Sequence, residues 1–163
     1  MVVMTPEYLG ELIDRYAGPL VLYARQWCAA PEDVVQDSFV KLVQQAETPE
    51  LVVPWLYRVV RNGAISQARS ARRRQKYEAD AARDVPAWFE MGDDPTNLDG
   101  STITDSLSRL PVDQREVIIA HLWGGLTFEQ IAELVGTSTT TAFRRYNAGL
   151  AALRNLLGAS CPI

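Results

Sequence analysis

The chain is poor in the residues that build covalent or metal frameworks. It has two cysteines, Cys28 and Cys161, and they form no C-x-x-C pair. That excludes a disulfide framework or a cysteine-based zinc site as the organising principle. A single histidine, His121, stands in the apolar run 117–123. Alone there, it reads as a structural side chain, not a catalytic one. No apolar run reaches the roughly 18 residues of a membrane span. The opening MVVMTPEYLGE has no basic stretch ahead of an apolar one, so no signal peptide is expected and a cytoplasmic protein is. Net basic charge is missing too: 16 Lys and Arg stand against 20 Asp and Glu, a formal charge of -4. An indiscriminate DNA coat is thereby excluded. No nucleophile–base pair, metal cluster or phosphate-cradling glycine loop stands out. Selective binding without enzyme activity, metal or cofactor is the expectation.

Against this acidic background one segment is cationic. Residues 54–76 read PWLYRVVRNGAISQARSARRRQK, with Arg58, Arg61, Arg69, Arg72, Arg73, Arg74 and Lys76 and no acid. Clustered arginine is the electrostatic footprint of a phosphate partner. Trp55, Tyr57 and Asn62 add groups that stack on or hydrogen-bond to a base, which suits opened DNA. A plainer reading fits the same residues. Trp55, Leu56, Val59 and Val60 recur at helical spacing, so Trp55 suits a core, and the arginines suit a solvated helix end.

The remaining periodicity is helical throughout. Thr5-Pro6-Glu7 is a helix start, followed by an apolar stripe through Tyr8, Leu9, Leu12, Ile13 and Tyr16. Gly18-Pro19 is expected to interrupt it, with a second helix from about Leu20. Pro31 opens a helix whose inner face is expected at Val35, Phe39, Leu42, Val43 and Ala46, leaving Asp33, Gln36, Asp37 and Lys41 largely outside. Two prolines make residues 48–54 a loop, and Pro54 opens the basic helix. Residues 77–104 are acidic and broken by proline and glycine, an expected linker with Val85, Trp88, Phe89 and Met91 free to dock. Beyond it, Leu107 and Leu110 close a short helix before Pro111. Gly124-Gly125 ends the next one.

Thr127 and Gln130 fit a capping box over an inner face of Ile131, Leu134 and Val135. Ser138 caps a last helix to about Leu157, stopped by Gly158. Ala132, Gly136 and Ala142 have helix-turn-helix spacing: a small residue at the crossing, a turn glycine, and a small residue behind the reading helix. That helix offers Ser138, Thr139, Thr140, Thr141, Arg144 and Arg145 to a major groove. The fold class expected is all-α, with two small helical domains, 1–76 and 105–163, joined by an acidic linker, 77–104. On these residues alone, a stand-alone helix-turn-helix regulator and a protein-only helical adaptor remain alternatives.

Taken in order, the blocks resemble a known family. PEDVVQDSF at 31–39, PWLYRVVRN at 54–62, and Leu110-Pro111 with Gln114-Arg115-Glu116-Val117 and Leu126-Thr127-Phe128-Glu129-Gln130-Ile131-Ala132 are similar to regions 2.2, 2.3 and 4 of extracytoplasmic-function (ECF) sigma factors. The resemblance spans nearly the whole chain. It implies a promoter-specific initiation factor that binds bacterial core RNA polymerase and promoter DNA. Asp33, Gln36 and Asp37 would dock on the β′ clamp helices. Asn62, with Arg58, Arg61, Arg69, Arg72 and Arg73, would hold −10 DNA and a base flipped from it. The helix from Ser138 would read the −35 element while its unit grips the β flap. An anti-sigma factor is a further partner the resemblance allows. The chain departs from the pattern at Ser66, where an acid is usual. It departs again at Phe143, Ala148 and Leu150, often Lys or Arg, which implies fewer phosphate contacts.

Overall fold

The computed structural model describes residues 3–77 and 98–160. Among these are seven α-helices and no strand: α1 (Pro6–Ala24), α2 (Pro31–Val43), α3 (Val52–Tyr77), α4 (Leu98–Ser108), α5 (Val112–Leu122), α6 (Phe128–Val135) and α7 (Thr139–Ser160). No helix among the described residues is long and apolar enough to cross a membrane. Most of the acidic stretch, with Val85, Trp88, Phe89 and Met91, lies outside the described residues, as does Cys161. The chain divides into two compact units, Met1–Phe89 and Glu90–Ile163.

In the first unit α1, α2 and α3 pack on one another. Thr5 caps α1, its Oγ1 accepting from the Tyr8 N–H at 3.2 Å. Contrary to the expected break, α1 continues through Pro19. A proline inside a helix costs about 3 kcal/mol by removing a donor and crowding the preceding turn. Here Leu20, Tyr23 and Ala24 just beyond it are 0% exposed, and burial of a side chain such as Leu20 returns about 1.5–3 kcal/mol. Gly18 also lacks the β-carbon that normally clashes with a following proline ring.

On α2 the buried stripe is Val34, Val35, Ser38, Phe39 and Leu42. Val43 and Ala46, expected inside, are exposed; α2 ends at Val43, and Ala46 lies beyond it. Buried Ser38 bonds back to the Val34 carbonyl at 2.7 Å. α3 starts at Val52, two residues before Pro54. Pro54 sits in the first turn, where an N–H has no intrahelical partner to lose. Val52, Leu56, Tyr57, Val60 and Ala64 form its buried side. A β-carbon on Gly63 would come within 3.1 Å of Val34 Cγ1, so this glycine lets α3 cross α2 closely.

In the second unit α7 packs on α4, α5 and α6. α4 begins at Leu98, inside the stretch expected as linker, and is anchored at its far end by buried Ser106 and Leu107. Its C-terminus is closed by a side chain from the next helix. Arg115, 7% exposed, donates to the carbonyls of Leu107 (2.9 Å), Ser108 (3.0 Å) and Leu110 (2.7 Å). Leu107 and Ser108 lie in the last turn of α4, where carbonyls lack a continuing helix, and a cation there also meets the negative end of the helix dipole. Burial pulls the Arg115 pKa below its ordinary value.

The capping box forms as expected: Thr127 Oγ1 accepts from the Gln130 N–H (3.2 Å), and Gln130 Oε1 accepts from the Thr127 N–H (3.0 Å). Gly136 takes a left-handed φ of 73°, and Ala142 behind it is 0% exposed. On α5 the buried run is 115–120, leaving Leu122 53% exposed. α7 does not stop at Gly158 but runs to Ser160. It crosses α5 closely at Gly149. A β-carbon there would lie 2.5 Å from Ile118 Cδ1 and 3.3 Å from Gln114 Cβ. Gly149→Leu is therefore expected to push α7 off α5 and destabilise this unit by about 1–3 kcal/mol. An unchanged urea midpoint for the full chain would refute that crossing.

Candidate nucleic-acid interfaces

α3 separates two functions around its circumference. At about 100° per residue, Arg58, Arg61, Asn62, Arg69, Arg72, Arg73 and Lys76 fall within about 60° of one direction, away from the buried Leu56, Val60 and Ala64. Arg58, Asn62, Arg69, Arg72 and Arg73 are exposed, while Arg61 is half-buried with its guanidinium 5.7 Å from the centre of the Trp27 ring. From Arg58 to Lys76 the row is about 27 Å long. Its cations fall in two groups, Arg58 with Arg61 and Arg69 to Lys76, about 12 Å apart along the axis. Tyr57 does not join it. That side chain is 0% exposed, its ring 4.9 Å from Tyr23, and burial drives its pKa far above the ordinary phenol value. It is a core residue, unavailable for stacking on a base. Trp55 is half-buried.

Beside the cationic row runs a groove of about 560 Å³ between α2 and α3. Its walls include Asp37 and Lys41 from α2 and Asn62, Ser66, Gln67 and Ser70 from α3. Gly63 and the short serines keep it open. Asn62 lies at the boundary, belonging both to the row and to the groove. A single strand whose phosphates follow the arginines therefore has a polar slot alongside for one base. Ser66, one turn after Asn62, leaves Asp37 as the only carboxylate in the groove lining. Asp33, Gln36 and Asp37 are all exposed on α2, and Asp37 alone of the three also lines the groove. Lys41 is a groove residue that the sequence reading did not single out for a site; its place four residues after Asp37 was the available signal.

In the second unit Ser138 Oγ accepts from the Thr141 N–H (3.1 Å) and donates to Thr141 Oγ1 (2.9 Å), so both hydroxyls serve the start of α7. Thr139, Thr140 and Arg144 are exposed. Arg145 turns toward α5, its Nε 3.4 Å from Asp113 Oδ2, and is 31% exposed. The outward face of α7 is instead Thr140, Phe143, Arg144 and Asn147, at i, i+3, i+4 and i+7. Asn147 was missed from sequence; its distance of one turn from Arg144 was the signal, and Asn is a bidentate partner for adenine.

Behind this face lies an aromatic cluster. His121 stacks on Phe128 at 4.4 Å, and Phe128 meets Phe143 and Tyr146 edge-on at 5.2 and 5.3 Å. His121 Nδ1 lies 2.8 Å from the Leu126 carbonyl, which only accepts, so Nδ1 carries the proton. The histidine fixes the turn between α5 and α6. Among the described residues there is no group of three or more metal-binding side chains.

Comparison with known proteins places both units. Residues 12–74 match the family described as Sigma-70 region 2, and residues 101–153 the one described as Sigma-70, region 4. The chain is 31% identical over 153 residues to the ECF RNA polymerase sigma factor SigL of Mycobacterium tuberculosis, covering 90% of this chain and 86% of that one. It is 29% identical over 133 residues to the RNA polymerase sigma factor CarQ of Myxococcus xanthus, covering 80% and 76%. Among solved structures it is similar to the sigma factor RpoE of Bartonella quintana, seen there in complex with the anti-sigma factor NepR. The TM-score is 0.69 at 25% identity, over 94% of this chain and 98% of that one. The two helical units, the cationic row and the helix-turn-helix belong to an RNA polymerase sigma factor of the sigma-70 family, and the chain is a member of its ECF group.

Proposed function

We propose that residues 1–76 bind core RNA polymerase and open −10 DNA, that the unit from α4 onward reads the −35 duplex, and that the acidic stretch ahead of α4 tethers them. The observation that carries this is the cationic row on α3 with a polar groove along its flank and Asn62 at their boundary. Arg58, Arg61, Arg69, Arg72 and Arg73 hold the phosphates of the unpaired strand. Asn62 and the groove receive a base taken from the stack. Extrusion costs a few kcal/mol, and these contacts offset part of it. No bond is made or broken in this scheme; the work is differential binding of opened over closed DNA. With a net charge of -4 the free chain repels duplex DNA, so promoter binding depends on polymerase.

Asp33, Gln36 and Asp37 form the exposed acidic side of α2 and dock on the β′ clamp helices. On α7, Thr139, Thr140 and Arg144 reach bases and phosphates, with Ser138 and Thr141 setting the helix start and Arg145 held back by Asp113. The second unit also meets the β flap. The RpoE neighbour is bound to an anti-sigma factor, and we extend that class of partner to this cytoplasmic factor.

Asn62→Ala should leave association with core polymerase intact and cut open-complex formation by roughly tenfold or more, the loss of a hydrogen bond to a desolvated base. Permanganate reactivity at −10 reads this directly; normal melting would remove Asn62 from the scheme. Replacing Asp33, Gln36 and Asp37 together by Ala should weaken co-elution with core polymerase, and full retention would exclude that face. Arg144→Ala should make the slope of log affinity against log salt shallower by about 0.9 for a −35 duplex bound by holoenzyme. An unchanged slope with one altered base preference would make Arg144 a base reader instead.

A further inference from the structure

Phe143 interrupts an otherwise polar reading face. It is 52% exposed, between Thr140 and Arg144 on the outward side of α7. A benzene ring in that position gains nothing from water and forms no bond to a phosphate. Its orientation is nevertheless fixed. The ring meets Phe128 edge-on at 5.2 Å and 88°. Phe128 in turn stacks on His121 at 4.4 Å and 20°, and His121 is tied to the Leu126 carbonyl at 2.8 Å. The exposed ring is thus braced by α6 and by the turn before it. A braced side chain loses little freedom when it meets a ligand.

We infer that Phe143 is a specificity-determining residue that recognises the C5-methyl group of a thymine in the −35 duplex. This rests on the proposed reading of that duplex by α7. Thymine is the base that adds an apolar group to the major-groove edge, while the other three offer polar atoms there. Against a ring with no donor or acceptor, those polar edges lose water without compensation. One turn away Asn147 and beside it Arg144 supply polar contacts to neighbouring positions, so the apolar contact sits within a mixed code. A Lys or Arg at this position would grip phosphate regardless of sequence. Phenylalanine exchanges that grip for discrimination at one base pair.

The test uses holoenzyme assembled with core polymerase and a promoter it selects from a randomised library. Each −35 thymine, on either strand, is replaced in turn by deoxyuridine, which removes only the methyl group. At one position wild-type affinity should fall roughly fourfold, the worth of one methyl-sized group leaving an apolar contact. Phe143→Ala should bind thymine and deoxyuridine equally at that position, and Phe143→Leu should keep part of the difference. Helical content by circular dichroism establishes that both variants are folded, and the wild-type comparison does not depend on them. A retained −35 footprint with no methyl-sensitive thymine overturns this inference alone. So does a penalty that survives in Phe143→Ala. Absence of any −35 protection by the wild type overturns it together with the reading beneath it.

Discussion

Mutual repulsion along α3 is the constraint to which the first unit answers. Six cations, Arg58, Arg61, Arg69, Arg72, Arg73 and Lys76, share one side of a single helix without an acid among them. Like charges one turn apart disfavour a helix, and most of this row lies beyond the last packed residue. What holds the helix is its first half, where Leu56, Tyr57, Val60 and Ala64 are each 0% exposed against α1 and α2. The packed half supplies the stability that the charged half spends. This also explains why Tyr57 is buried. A side chain on the inner face near Trp27 and Tyr23 is needed to anchor the helix more than it is needed at DNA.

The second unit solves a different problem: three short helices must present a fourth. α7 touches all of them, and its place is set by one glycine at the crossing with α5 and one left-handed glycine at the turn. Aromatic contacts from His121 and Phe128 then support the outward side of α7 from behind. The outward side of α7 is thus braced by the turn between α5 and α6 and by the start of α6.

Local chemistry was legible in the sequence wherever the deciding partner lay a few residues away. Thr5, Ser138, the Thr127–Gln130 box and the turn at Gly136 are such cases, and so are the cationic row and the helix-turn-helix spacing. What escaped depended on distant partners. Pro19 stays helical because Leu20 and Tyr23 are buried by other helices. Val43 and Ala46 continue an apolar period past the point where a neighbour covers it. Gly158 lies within α7 although glycine there suggested a stop. The inward turn of Arg145 follows from where Asp113 lies, and the tight fit at Gly149 follows from Ile118. None of these partners is adjacent in the chain. Likewise the groove at Asn62 needs Asp37 and Lys41 from another helix, so only its α3 half could be anticipated.

Arg115 shows how far two arginines of one chain differ in what can replace them. Its guanidinium spreads over three carbonyls from one plane, at 2.7 to 3.0 Å. A lysine ammonium is a compact point with no such fork, and it cannot span Leu107, Ser108 and Leu110 together. Arg144, facing solvent, tolerates that exchange as a change of one cation for another. Conservative drift between basic residues is thus open on the outer surface of this unit and closed at the joint between α4 and α5.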